Sequence, residues 1–344
     1  MRQFVLACAL ALSACGESFV PPPDVVAPST APAVGDGGPP ATASDAGQPA
    51  ALPDVGRAAA GPTLSGCPMF PLDSEWNREV SADGVDPNSH TWMAHMGEGS
   101  RKLHADFGSN PLYGIPFEVV DGAQAPQPMQ FLYSSQSDPG PYPFPDDLPI
   151  QGGRASGGDR HAVVLDRDRC LLYETYDTHW LGPGQGYRAG SGAVFDLRSS
   201  ALRPDGWTSA TASGLPILPG LARYDEVTAG EVRHALTFTA GTSARAWVHP
   251  GTHYGESAES GAPPMAIRVR LRASFDLSRF EGSSRTLLLA LQRYGMFLID
   301  EASSDFVAIS GASDARWNDR DLDQLKTVPF SAFEVVPSGP VHTR

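Results

Sequence analysis

Residues 157–177, GGDRHAVVLDRDRCLLYETYD, read as two apolar runs joined by a charged turn. Short runs rich in Val, Leu and Tyr, bounded by Gly and Asp, are strand signals, and the turn makes them a hairpin. An even-numbered loop, either Arg167-Asp168 or Asp166 through Arg169, pairs Leu165 with Cys170 and, counting back, His161 with Glu174. Directly opposed side chains share a face, so these two polar groups are expected to touch at the end of an apolar row. An odd-numbered loop would set His161 against Thr175. The pair is then either a buried hydrogen-bonded contact holding the sheet or a proton-transfer site, with Arg160 reaching an anionic group beside it.

Runs of the same kind begin at Gly114, Met129, Gly192, Val232, Arg245, Ala266, Met296 and Phe306, separated by Gly, Pro, Asp and Ser clusters. In IRVRLRA, Ile267, Val269 and Leu271 alternate with Arg268, Arg270 and Arg272, so one face belongs to a core and the other to solvent or a charged groove. Helical signals are few: SSRTLLLALQRYG, with Ser284 as N-cap and Gly295 as stop, and short stretches after Asp86, after Gly220 and near residue 320. Many strands and few helices predict an all-β fold of two packed antiparallel sheets, a β-sandwich or jelly roll, with a barrel as the alternative.

The N-terminus, MRQFVLACALALSACGES, has one basic residue, an apolar run too short to span a bilayer, and small residues ahead of Cys15. This resembles a bacterial lipobox, which implies residues 1–14 as signal peptide and Cys15 as the lipidated first residue. The alternative is an ordinary signal cut nearby. Gly16 beside the cysteine points, by the same resemblance, to the outer membrane. From Val20 to Pro62 there are ten prolines, no aromatic residue and one basic residue, so 15–62 reads as a tether unable to bury a core and 63–344 as a single β-rich domain. With Cys8 removed and Cys15 lipidated, Cys67 and Cys170 remain, and an oxidising compartment makes them either a disulfide or two buried thiols. The net charge of −14 without a basic cluster argues against nucleic acid and against electrostatic docking on anionic lipid, leaving the lipid as the only membrane attachment.

Other candidate residues lie on loops. VHPGTHYGES carries His253, Tyr254 and Glu256 after a strand, and Pro250-Gly251 breaks the helix that a zinc pair His249/His253 would need; no metal and no cofactor are expected. SDPGPYPFPDD presents Tyr142 and Phe144, either as exposed stacking surfaces or as part of a structural cover. Pro216 and Pro219 make residues 215–218 an extended apolar plug, after which Asp225 is either an acid/base group or a helix-end charge. GDRH, LYE, SGAVFDL, RPDGWTSA, GLPILPGL, RYDEV, RHAL, HYGES and LQRYGMF together resemble a group of secreted bacterial proteins whose neighbours in longer chains include carbohydrate-binding modules. The resemblance implies an extracytoplasmic glycan context. The resulting expectation is a polysaccharide or envelope-glycan hydrolase or lyase with His161, Glu174, Asp225 and His253 as catalytic groups and Arg160, Tyr142, Tyr254 and Glu256 as binding groups. Its alternative is a glycan-binding or structural envelope lipoprotein without activity.

A broad-specificity protease is expected to cut within residues 20–62 and leave the remainder as one fragment in an intact-mass measurement. Survival of the whole chain would show that segment protected.

Overall fold

The computed structural model describes residues 61–344; the signal sequence, Cys15 and most of the tether lie outside them. Every strand-like run above contains a strand, but their pairing is not that of a sandwich. Five sheets form among the described residues. A four-stranded sheet runs in the order Ser191–Asp196, Leu171–Tyr176, Ala162–Asp166, Glu118–Val120, its last pair parallel. A six-stranded sheet runs Phe333–Val336, Arg268–Leu271, Met296–Asp300, Leu236–Thr239, Val307–Ile309, Leu103–Ala105, with two parallel pairs. One three-stranded and two two-stranded sheets complete the set, with four α-helices: Ser89–His95, Tyr224–Thr228, Gly282–Arg293 and Asp319–Leu322.

The fold is therefore mixed α/β, and the expected all-β sandwich or jelly roll is wrong. Parallel pairs require long crossovers, and such non-local pairing leaves no trace in a count of strand-like runs. A β-sandwich acting on carbohydrate at the outer membrane, as the sequence suggested, does not match this multi-sheet architecture.

Ile267, Val269 and Leu271 are fully buried in the main core, which also takes Leu287, Leu288 and Leu291 of the long helix. The opposite face is neither solvent nor an open groove. Arg268 and Arg270 are 2% and 8% exposed because residues 75–80 wrap over them. Arg268 donates to the carbonyls of Tyr294, Glu75 and Arg78, and Arg270 to Val80 and to Glu334. Burying a guanidinium is tolerable only when its donors are matched in this way. The long helix is capped from outside: Asp321 accepts from the N–H groups of Ser283 and Ser284 at 2.6 and 3.2 Å, replacing the expected Ser284 cap.

The hairpin register departs from expectation by one residue in each strand. Leu165 faces Leu172 and Val163 faces Glu174, around a four-residue loop of 167–170. Asp166 sets it: its carboxylate accepts from the N–H groups of Asp168 and Arg169, both at 3.0 Å, and Cys170 takes a left-handed φ of 53°. His161 and Glu174 keep a common face but lie diagonally, and the His161 ring instead meets Tyr176 at 6.0 Å.

Cys67 and Cys170 form a disulfide, S–S 2.03 Å, across 103 residues. Replacing both by serine is expected to lower stability by about 2–5 kcal/mol in denaturant unfolding, through the freed unfolded chain. An unchanged midpoint would assign the bond no stabilising role.

Candidate functional site

The segment 207–222 crosses between the two large sheets, and its irregular backbone collects the polar side chains around it. Leu215, Ile217 and Leu218 are buried as the expected plug, and its tail closes in a 3-10 turn, Leu218–Gly220. Gly214 makes the approach possible: its φ is +78°, and a Cβ there would lie 2.1 Å from Thr252 Oγ1. From the four-stranded sheet, the Glu174 carboxylate accepts from the N–H of Ile217 at 2.8 and 2.9 Å and of Leu218 at 2.9 Å. Ser191 Oγ donates to the Ser209 carbonyl at 2.6 Å. From the six-stranded sheet, Ile299 O accepts from Ser213 N at 3.0 Å and Asp300 Oδ2 from Ala212 N at 3.2 Å.

His161 and Glu174 are thus brought to one segment without being brought to each other's hydrogen bonds. His161 Nε2 lies 3.0 Å from the Ala210 carbonyl and Nδ1 2.6 Å from the Gln151 side chain. A carbonyl only accepts, so Nε2 carries a proton. Burial lowers the His161 pKa, against the pull of the Asp159 charge and the Ala210 bond. Burial has the opposite effect on Glu174, pushing it up to about 7 against the N–H groups of Leu218 and Ile217. Arg160 is 6% exposed, and its Nε and Nη1 are tied to the carbonyls of Thr178, Arg154 and Ser156, so most of its guanidinium is committed to backbone.

His253 approaches from the loop after Ala246–Val248. Its Nδ1 donates to Ala212 O at 2.9 Å, its ring stacks on Tyr254 at 4.2 Å, and burial lowers its pKa. Tyr254 is 9% exposed, between Trp247 and the Arg344 guanidinium; Glu256 is exposed and pairs with Arg245 at 3.3 Å. Asp225 sits in the first turn of Tyr224–Thr228, more than half exposed and 3.7 Å from Arg223, as a helix-end charge does. Tyr142 is fully buried in a second core with Phe144, Tyr173 and Tyr187 and donates to Asp138 O. The proline-rich loop is a structural cover, so Tyr142 offers no stacking face.

Asp300 and Asp106 carry no distinctive signal in the sequence, where Asp159 reads only as a turn charge. Asp300 ends the apolar strand Met296–Asp300, half-buried, and burial pushes its carboxyl up to about 7, with Asp159 and Glu301 adding to the rise against N–H groups of Glu301 and Ala212. Asp106 is raised too, by burial first and also by Asp159. Asp159 is exposed, and its charge acts on Asp300, Asp106 and His161 alike. A carboxyl with its pKa pushed up to about 7 and an imidazole with a lowered pKa, both bonded to the backbone of Ala212, can serve acid–base chemistry.

The other wall of the plug, Gly214, Leu215 and Pro216, lines a cavity of about 510 Å³ with Phe70, Trp76, Phe195 and Phe297. Ser74 also lines it, 5% exposed and with no partner for its hydroxyl. No protein-family model, curated protein or solved structure matches the chain.

Glu174→Ala leaves the Ile217 and Leu218 N–H groups buried and unpaired, so a loss of about 1–3 kcal/mol for each is expected, with Glu174→Gln milder because an acceptor oxygen remains. Equal stability of the two variants in urea would contradict the anchoring role. Folding raises Glu174 from 4.5 and Asp300 from 3.8, each to about 7. Across that window the folded chain holds protons the unfolded chain has released, so these groups make stability fall as pH rises from 4.5 to about 7. Both substitutions should flatten that slope.

Proposed function

We propose that the domain is an extracytoplasmic enzyme, lipid-anchored at Cys15, that cleaves its substrate by acid–base catalysis at Asp300 and Asp159. The observation that carries this reading is Asp300 itself: a half-buried carboxyl at a strand end, bonded to Ala212 N, its pKa pushed up to about 7 by burial and raised also by the charge of the exposed Asp159. Asp300 donates its proton to the leaving group while water, giving a proton to Asp159, attacks the bond being cleaved, and His253, fixed by Ala212 O, orients the substrate by its remaining ring nitrogen. The disulfide and the secretory N-terminus support the compartment. Unequal carboxyls suit hydrolysis of acetal, ester or amide bonds alike.

A second reading, a non-catalytic binding protein, is favoured by one feature, the 510 Å³ aromatic cavity with the unpartnered Ser74 hydroxyl. The two separate on a panel of polysaccharides, peptides and esters assayed for new reducing ends, amines and acids. Turnover is expected to fall as pH rises through about 7, where Asp300 loses its proton. Asp300→Asn and Asp159→Asn should each lower it about 10²–10⁴-fold. Undiminished rates in both variants, or no product from any substrate class, would remove the catalytic reading.

A further inference from the structure

A second constellation lies away from the carboxylates of the plug. Val341–Thr343, the last strand, pairs antiparallel with Ala246–Val248 and sets His342 directly opposite Trp247. His249, two residues beyond Trp247, is carried toward the same side, and the His249 and His342 rings lie 4.3 Å apart. Asp205 arrives from the loop after Arg203 and accepts from His249 Nε2 at 2.9 Å. One ligand atom from each of Asp205, His249 and His342 lies within 4.8 Å of the others.

We propose that Asp205, His249 and His342 bind a zinc-type divalent cation at the rim of the aromatic cavity. Two imidazoles and one carboxylate are a donor set for zinc rather than for magnesium or calcium, which prefer oxygen throughout. Tetrahedral ligands about 2.0–2.1 Å from a metal are about 3.4 Å apart, so the three atoms need only side-chain rotation to close on an ion. The surroundings fit. Trp247 stacks on His342 at 5.5 Å, and its buried indole N–H, without a partner at hydrogen-bond geometry, approaches the Asp205 carboxylate. His249 also lines the 510 Å³ cavity, so three protein ligands would leave a fourth position open to whatever occupies it. The residues are far apart in sequence, at 205, 249 and 342, and the site does not involve the His249/His253 spacing that argued against zinc.

The test uses the full chain without a histidine tag, stripped by chelator and titrated with Zn²⁺ by calorimetry, with bound metal counted after gel filtration. One tightly held equivalent is expected, and Co²⁺ in its place should give the intense visible bands of a tetrahedral centre. His342→Ala and Asp205→Asn should lose the equivalent, while His90→Ala, a surface histidine, should keep it. If His249→Ala fails to fold, the His342 and Asp205 variants still decide. Wild-type protein binding no more zinc than His342→Ala, or both variants retaining the equivalent, would overturn the site.

Discussion

The clasp of Glu174 on the N–H groups of Ile217 and Leu218 is the interaction on which the remaining geometry depends. A fully buried carboxyl is unfavourable in isolation, and the two N–H donors of the turn, that of Ile217 shared between both of its oxygens, offset it. Once the plug is fixed at that end, the same chain lays Ala212 against Asp300 and Ser213 against Ile299. The plug is thus a rigid spacer between two sheets. One flank faces the acidic groups and the other closes the aromatic cavity.

Buried arginines do for the loops what ladders do for strands. Arg160, Arg203 and Arg268 are each under a tenth exposed, and each spends most of its fork on backbone carbonyls from segments without regular structure. Irregular backbone cannot satisfy its own oxygens, and a guanidinium supplies five donors in one plane. A chain with a formal charge of −14 therefore uses its few cations internally. Arg160 is the clearest case: an expected substrate contact that holds up three turns instead.

Local signals in the sequence were legible, and pairing was not. Each apolar run became a strand, the long helix stopped at Gly295 with its φ of +66°, and the two cysteines met. Period-two alternation fixes which face a side chain takes, so His161 and Glu174 were correctly given one face. It does not fix register, which here turned on the Asp166 carboxylate and on a left-handed Cys170. Burial is not legible where the covering chain is distant in sequence: Arg268 and Arg270 lie under residues 75–80. Asp300 is not legible in the sequence because an acid closing an apolar run reads as an ordinary strand end, and its raised pKa comes first from burial under distant chain, with the Asp159 charge adding to it.

The disulfide also decides how the domain answers to mechanical load. Tension entering at residue 61 meets Cys67 within six residues and passes through sulfur to the turn at Cys170. The intervening helix Ser89–His95 and strand Leu103–Ala105 are spared, because the covalent shortcut carries the force around them. The stress falls instead on the antiparallel rungs of Leu171–Tyr176, held by partners on both sides. Load reaching residue 61 would in this way be borne first by the four-stranded sheet.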